Sequence, residues 1–348
     1  MNFLELPMLR HPLIQAPMAG VQGADLAVAV SEAGGLGSLP GAMLGPEQLQ
    51  AELESITRRT DKPYNVNFFC HRLPTVDDRR EARWQECFSS YYREFSVEPP
   101  KDSGPGRRPF DSAIADVIEP FKPPVVSFHF GLPDPALVER VKAWGGRVIS
   151  SATNVAEARW LEAHGADGII AQGLEAGGHR GMFLTDDLAT QVGTLSLVPQ
   201  VVSAVNVPVI AAGGIADARG VAAAMALGAS GVQVGTAYLQ CPEALTSAVH
   251  RAALASEDSV NTAITNVFTG RPARSIVNRV VRELGPINSG APDFPRAAAA
   301  IAPIRAKAES AGSGDFSPLW AGQNTAGCEA VPAAQITRKL AHGFGGSR

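Results

Sequence analysis

Eight short apolar runs alternate with helix-like stretches before residue 235, and this alternation limits the possible folds more than any other feature of the sequence. Several of the runs are apolar on both faces, which is typical of buried parallel strands. Strands that are separated by single helices indicate βαβ units around one parallel sheet. The runs are Leu13–Ala16, Leu36–Leu39, Tyr64–Phe68, Val125–Phe128, Arg147–Ser150, Gly168–Ala171, Pro208–Ala212 and Gly231–Val234.

Eight such units favour an α/β fold with a closed (β/α)8 barrel, and an open doubly wound sheet is the alternative. Two of the intervening helices have clear starts. Asn154 is suited to cap the stretch Val155–His164, and Asp217 lies near the start of the stretch Ala216–Leu227. The 348 residues exceed the length of a bare barrel, about 250 residues, so an insertion is expected.

Two segments do not fit the repeat. The connection 70–123 is too long for one helix, and we predict a helix over Val76–Phe95 followed by a surface loop at Lys101–Arg108. The segment 239–315 follows the eighth strand, and we expect it to form a smaller α+β domain, so that 1–238 and 316–348 form the barrel. Its predicted elements are helices at Glu243–Ala255 and Pro295–Ser310, with strands within Asn261–Leu284.

Composition excludes several classes of function. The formal net charge is −4 and no basic run is longer than a pair, which argues against nucleic acid or anionic membranes as partners. No signal peptide and no apolar run of about 18 residues is visible, so we expect a cytoplasmic protein. No metal site is expected, because no H-x-x-x-H or clustered carboxylate pattern is present. The cysteines form no C-x-x-C pair, which argues against a zinc knuckle or a disulfide framework, and they are predicted to be free thiols: Cys70, Cys87, Cys241 and Cys328.

Glycine-containing segments follow the seventh and eighth predicted strands, at the barrel end where function normally lies. They are Gly213-Gly214 and Gln233-Val234-Gly235-Thr236, and each is expected to lead into a helix. Backbone N–H groups of glycines and helix N-termini bind phosphate oxygens. Ordinary turn glycines are the alternative. Two such segments after consecutive strands favour phosphate binding.

The segment after the sixth strand, Gln172 to Gly181, holds four glycines around His179. Such a segment can approach a planar ligand closely, and a histidine there can act as a base or as a hydrogen-bond donor to an anion near neutral pH. His129 ends the fourth strand. It is either a second polar group of the active site or a core histidine that the backbone satisfies, and the sequence leaves both interpretations open.

Taken together, these segments resemble the first class of nitronate monooxygenases, formerly called 2-nitropropane dioxygenases. The resemblance covers most of residues 12–240. A weaker match lies at Trp320–Gln323, and the stretch Phe69-Cys70-His71 departs from the family pattern. The matching segments are Pro12–Gly20, Asn65–Phe68, Ser127–Gly131, Gln172–Gly181, Gly213-Gly214 and Gln233–Thr236.

The resemblance implies a TIM barrel that binds FMN and carries a smaller second domain. It implies that His179 is the catalytic histidine and that His129 and Gln323 contact the substrate. The phosphate would lie on Gly213, Gly214, Gly235 and Thr236. The remaining FMN-binding residues implied are Ala16, Pro17, Met18, Asn67, Gln172, Gly177, Gly178, Gln233 and Val234.

The reaction implied by the resemblance is the oxidation of an alkyl nitronate, such as propionate 3-nitronate, by O2 to a carbonyl compound and nitrite. A homodimer is possible. The first alternative is an FMN- and NADH-dependent enoyl-acyl-carrier-protein reductase of the same fold, although Gln172 and the stretch Ser127–Gly131 favour nitronate oxidation. The second alternative is a flavin- or phosphate-binding protein without catalysis.

Overall fold

The computed structural model describes residues 3–101 and 107–345, and its centre is a barrel of eight parallel strands. All eight predicted strands are confirmed, with ends shifted by no more than two residues. A parallel bridge between Ile14 and Leu36 joins the first and last strands of the sheet and closes the barrel. The barrel strands are β1 (Leu13–Gln15), β2 (Gly37–Pro40), β3 (Tyr64–Phe69), β4 (Val125–His129), β5 (Arg147–Ala152), β6 (Gly168–Gln172), β8 (Val209–Ala212) and β9 (Gly231–Val234).

Helices surround this barrel. The predicted cap Asn154 is confirmed, whereas the helix predicted from Ala216 starts at Ala218 and is capped by Asp217. The Asn154 carboxamide accepts from the Glu157 amide, and the Asp217 carboxylate accepts from the Gly220 amide, each at 2.9 Å. The helices are α1 (Ala24–Glu32), α2 (Pro46–Arg59), α3 (Asp78–Glu86), α4 (Ser89–Phe95), α5 (Ser112–Ile118), α6 (Pro135–Ala143), α7 (Val155–Ala163), α8 (Thr194–Val202), α9 (Ala218–Ala226), α10 (Ala248–Ala255), α11 (Arg279–Leu284), α12 (Ala298–Ser310) and α13 (Ala333–Ala341).

The end of the barrel that carries the strand N-termini is filled with apolar side chains. Ile14, Ile149 and Ile210 are fully buried there, and Leu4 and Leu6 of the N-terminal segment pack against the same cluster. Burial of this kind stabilises the barrel by about 1.5–3 kcal/mol for each large apolar side chain. Because this end is closed, only the carboxyl ends of the strands are free to form a site.

A second, antiparallel sheet lies beyond the barrel and consists of β10 (Thr262–Thr265), β11 (Ala273–Ile276) and β7 (Gly178–His179). Its register places Ala273 opposite His179 and Arg274 opposite Gly178. The prediction of strands within Asn261–Leu284 is therefore correct for β10 and β11. It is wrong for the end of this range, which forms the helix α11. This sheet attaches the segment after β6 to a part of the chain that lies about 90 residues later.

The predicted single helix over Val76–Phe95 is wrong, because α3 and α4 are separated by a break at residues 87–88. Trp84 of α3 and Tyr92 of α4 pack with Phe268, Ile304 and other residues of the 239–315 segment. The proposed division of the chain at 239 and 315 stays a prediction. Of the surface loop predicted at 101–108, residues 102–106 lie outside the described residues.

The other helices predicted in the 239–315 segment begin later than expected. The helix predicted at Glu243–Ala255 starts at Ala248, where the Ser247 hydroxyl caps it, and the helix predicted at Pro295–Ser310 starts at Ala298. Cys70, Cys87, Cys241 and Cys328 are free thiols. No helix of the described residues is both long enough and apolar enough to cross a membrane.

Candidate active site

One cavity lies at the carboxyl ends of the barrel strands, with an empty volume of about 1300 Å³ that includes its part open to solvent. The side chain of Gln323, a predicted substrate contact, is exposed and is not part of the lining. Every other predicted site residue lines the cavity: Ala16, Pro17, Met18, Asn67, His129, Gln172, Gly177, Gly178, His179, Gly213, Gly214, Gln233, Val234, Gly235 and Thr236.

The segment between β6 and β7 is held in place by Gln172 and Arg180. The Gln172 carboxamide donates to the His179 carbonyl at 2.9 Å and accepts from the Gly181 amide at 2.7 Å. The fully buried guanidinium of Arg180 donates to the carbonyls of Gln172 and Gly173, each at 2.8 Å. Both side chains therefore fix the backbone that carries His179. The glycines of this segment gave no indication of these bonds.

His129 is a lining residue whose ring is satisfied by the protein. Its role as a second polar group of the active site stays a prediction. Its Nε2 lies 3.1 Å from the His179 carbonyl oxygen, and its Nδ1 lies 3.0 Å from the Ser151 hydroxyl. A carbonyl oxygen only accepts, so Nε2 carries the proton and Nδ1 accepts from Ser151. Burial lowers the pKa of His129 to about 3, and the imidazole is neutral at pH 7.

The imidazole of His179 is also neutral at pH 7. Burial is the largest cause, followed by the positive charge of Arg107, and together they hold the pKa of His179 well below its usual range. Its Nε2 lies 2.9 Å from the Thr269 hydroxyl, and within the described residues its Nδ1 has no hydrogen-bond partner. The ring centres of Phe294 and Trp320 lie 5.3 and 5.4 Å from that of His179.

Arg107 is a lining residue that the sequence analysis missed. Burial lowers its pKa to about 10, so the guanidinium remains protonated at neutral pH. Arg271 is a second buried cation nearby, and its guanidinium carbon lies 4.1 Å from the Phe130 ring centre. Neither arginine forms an ion pair within the described part of the chain. The electrostatic potential around His179 is therefore positive, which favours anionic ligands.

The glycines after β8 and β9 leave backbone donors free. Gly213 and Gly214 have φ values of 121° and 71°, a region that favours glycine. Among the described residues, no backbone acceptor takes a hydrogen bond from the amides of Gly213, Gly214 or Gly235. The expected helix after Gly235 is only one 3-10 turn, and Asp217 already caps α9. The free amides, rather than helix N-termini, are thus the groups suited to bind a phosphate.

A C-terminal segment crosses these glycines. The Gly322 amide donates to the Thr236 hydroxyl at 3.0 Å, and the Asn324 carboxamide donates to the Gly214 carbonyl at 3.1 Å. The backbone amide of Gln323 donates to the Glu175 carbonyl at 3.0 Å, so Gln323 holds this segment in place through its main chain. The weak match at Trp320–Gln323 was the only sequence signal for this segment.

Comparison with known proteins decides the family. A model of the nitronate monooxygenase family matches residues 2–343. The chain belongs to the nitronate monooxygenase family. It is therefore an enzyme, an oxidoreductase that acts on a small molecule, and the TIM barrel that the resemblance implied is confirmed.

Relatives of this nitronate monooxygenase family member match over almost the whole chain. The nitronate monooxygenase of Pseudomonas aeruginosa is 41% identical over 342 residues, which are 97% of each chain. The crystal structure of a nitroalkane oxidase from Streptomyces ansochromogenes has a TM-score of 0.90 and 38% identity, and the match covers 97% of each chain. FabK from Thermotoga maritima has a TM-score of 0.72 and 29% identity, covering 99% of this chain and 94% of FabK.

Nitronate monooxygenases are flavin-dependent, and the cavity has features that fit a flavin. A Cβ atom added at Gly178 would meet no other atom within 4 Å, so the cavity is open above this backbone. The Oε1 atom of Gln233 is a buried acceptor without a partner in the described part of the chain. An N–H of the flavin ring or a hydroxyl of its side chain would satisfy it.

Proposed function

We propose that this protein uses FMN to oxidise alkyl nitronates with O2, giving a carbonyl compound and nitrite. The observation that carries the proposal is the neutral imidazole of His179 beside the protonated Arg107 in one cavity. A nitronate is an anion, and its parent nitroalkane is a carbon acid. The arrangement offers a base for the acid and a positive potential for the anion.

FMN, when bound, supplies the electron chemistry. Gly213, Gly214 and Gly235 would hold its phosphate through their free amides, and Gln233 would accept a hydrogen bond from it. Asn67 donates to the Ser127 carbonyl and hydroxyl at 3.1 and 2.9 Å, which leaves its Oδ1 as an acceptor at the cavity. These contacts would orient a flat ligand in the cavity.

The role of His179 in the proposal is that of a base. Its Nε2 is hydrogen-bonded to the Thr269 hydroxyl, so Nδ1 is the nitrogen available to a substrate. A neutral imidazole accepts the α-proton of a nitroalkane, and the resulting imidazolium then donates to the nitronate oxygens. Aromatic rings around the imidazole exclude water, which strengthens these interactions.

Absorbance and turnover of the purified protein test the proposal. A flavoprotein should absorb near ~450 nm because of its cofactor, and it should consume O2 and release nitrite when given propionate 3-nitronate. His179→Asn should retain FMN and lose at least about a hundredfold in kcat/KM with nitroethane, as expected for a lost general base. The exposed His164→Asn is the matched control.

Two results would defeat the proposal. A colourless protein that does not bind added FMN would exclude both flavoenzyme hypotheses. Oxidation of NADH with an enoyl thioester, together with no turnover of nitronates, would assign the enoyl-acyl-carrier-protein reductase activity instead.

A further inference from the structure

The backbone of Arg107 is fixed against the barrel. The Nε2 atom of His71 donates to the Arg107 carbonyl at 3.0 Å, and the Phe110 amide donates to the Phe69 carbonyl at 2.8 Å. His71 is buried, and Phe69 ends β3. The backbone at both ends of the segment 107–110 is therefore attached to the end of β3 and to the residues that follow it.

The side chain of Arg107 differs from those of the other arginines near the barrel mouth. Arg180 donates three hydrogen bonds and Arg251 donates four. The Arg107 guanidinium has neither a hydrogen bond nor an ion pair within residues 3–101 and 107–345, although it lines the cavity. A half-buried cation without a partner is costly, so such a site favours an anion as its ligand.

Among residues 3–101 and 107–345, no carboxylate forms an ion pair with Arg107. The charged side chain that affects the pKa of Arg107 is another cation, Arg305. The guanidinium carbon of Arg107 lies 5.4 Å from the Phe294 ring centre. Arg271 does not compete for the same ligand, because one of its Nη atoms donates to the Met182 carbonyl and its guanidinium packs on Phe130. Arg107 is thus the guanidinium presented to the cavity.

We propose that Arg107 is a specificity-determining residue that binds an anionic group at the end of the substrate distal to the reacting carbon. This inference rests on the proposed function. The ring of Phe294 lies 5.4 Å from the Arg107 guanidinium carbon and 5.3 Å from the His179 ring centre. Both distances end at the centre of the Phe294 ring, so the guanidinium carbon of Arg107 lies at most 10.7 Å from the centre of the His179 ring.

That limit suits a short substrate that is hydrogen-bonded at both ends. Nitrogen–oxygen hydrogen bonds are about 2.7–3.2 Å long, so the limit leaves room for at most a chain of a few atoms between them. A carboxylate is the expected distal group, because a guanidinium binds it through two parallel hydrogen bonds. Arg107 should therefore favour short nitronates that carry a carboxylate over simple alkyl nitronates of equal length.

Kinetics with two nitronates of equal chain length test this inference. Propionate 3-nitronate carries the distal carboxylate, and propyl 1-nitronate does not. Arg107→Gln should lower the ratio of kcat/KM between the two by at least about tenfold, mainly through the KM of propionate 3-nitronate, because a charge-assisted bidentate contact is lost. Arg107→Lys keeps the charge and should restore part of the ratio.

The neighbouring Arg108 provides the matched control. Its side chain is 71% exposed and pairs with Asp111 at 2.9 Å. Arg108→Gln should leave the ratio unchanged. An equal loss with both nitronates in Arg107→Gln and Arg107→Lys would overturn the inference, because it would indicate a structural role.

A binding measurement separates this inference from the proposed function. Succinate and butyrate resemble the two nitronates in shape and charge and do not react. The FMN-loaded protein should bind succinate more tightly, measured by the change in flavin absorbance, and Arg107→Gln should lose that preference. Equal affinity of the unmodified protein for both acids would overturn the inference, even if nitronates were oxidised. Failure to oxidise any nitronate, with the succinate preference intact, would defeat only the proposed function.

Discussion

His129 donates from Nε2 to the backbone carbonyl of His179 at 3.1 Å, so the two histidines at the cavity are connected through the main chain. Gln172 donates to the same carbonyl at 2.9 Å. Two donors occupy both lone pairs of this oxygen, and β11 pairs with the same short strand from the other side. The hydrogen bonds to the backbone of His179 therefore position this residue.

The first prediction concerns this network. His129→Phe keeps an aromatic ring but removes the donor to His179 and the acceptor for Ser151. We expect a loss of about 1–3 kcal/mol in the free energy of unfolding, because buried polar groups lose a partner. Urea unfolding measures this loss. We also expect a lower kcat with FMN still bound, since the base is less well oriented.

The exposed His164, whose Nδ1 donates to the Trp160 carbonyl at 2.7 Å, provides the control for His129. His164→Phe should leave kcat and the urea midpoint within error of the unmodified protein. A fully active and equally stable His129→Phe variant would show that the hydrogen bonds of His129 do not position His179.

The barrel and most of the lining of its cavity could be predicted from sequence, because their signals are local. A strand buried on both faces is a continuous apolar run, and Gly213-Gly214 follows such a run directly. Capping residues such as Asn154 act within four positions along the chain. The functional residues at a strand end are thus adjacent in sequence to the strand, so the strand pattern predicts where they lie.

Arg107 and the pairing of β7 with β11 could not be predicted in the same way. Arg107 lies in a long connection that has no motif. Within the described residues its guanidinium has no hydrogen-bond or ion-pair partner, and no local pattern records this. The pairing of His179 with Ala273 joins residues that are far apart in sequence. The break between α3 and α4 was missed because both helices present apolar faces to one cluster, which imitates one long helix.

The second prediction concerns stability at mildly acidic pH. Burial lowers the pKa of His129 to about 3 and the pKa values of His71 and His250 to about 4. Their pKa in the unfolded chain is about 6.5, so below that pH the unfolded chain binds protons that the folded protein does not. The free energy of unfolding should therefore level off above about pH 7.5 and fall as the pH drops below about 6.5, most steeply between about 6 and 5.

Each of these histidines contributes a slope of about 1.4 kcal/mol per pH unit in that range. Urea unfolding at several pH values between 7 and 5 measures the slope, and this window lies above the usual range of carboxylates. His250→Gln should make the slope less steep by the share of one histidine. A free energy of unfolding that stays level or rises below pH 6.5 would contradict the prediction.

The third prediction concerns Arg180, whose side chain is fully buried. Its guanidinium donates to Gln191 Oε1 and to the carbonyls of Gln172 and Gly173, each at 2.8 Å. A lysine keeps the charge but lacks the planar fork, so Arg180→Lys should lose about 2–4 kcal/mol in the free energy of unfolding. The control is Arg219→Lys, because the Arg219 side chain is 94% exposed. Similar urea midpoints of the two variants would show that Arg180 is dispensable for holding the segment after β6.

The last prediction separates flavin binding from backbone strain. Gly178 and Gly145 have φ values of 71° and 87°, and a Cβ added at either meets no other atom within 4 Å. An alanine at either position pays a comparable conformational cost, roughly 1–2 kcal/mol. Only Gly178 lines the cavity, whereas Gly145 lies in the turn between α6 and β5. The two variants should therefore show similar losses of thermal stability without cofactor.

Their affinities for FMN should differ. In Gly178→Ala the added methyl group occupies the space above the backbone that we assign to the flavin ring, so the Kd for FMN should rise at least about tenfold, as expected when a close contact is blocked. Gly145→Ala should keep the Kd of the unmodified protein. Titration of the protein with FMN, followed by quenching of flavin fluorescence, gives both values. An unchanged Kd in Gly178→Ala would place the flavin elsewhere in the cavity, because a ring that lies against this backbone must meet the new methyl group.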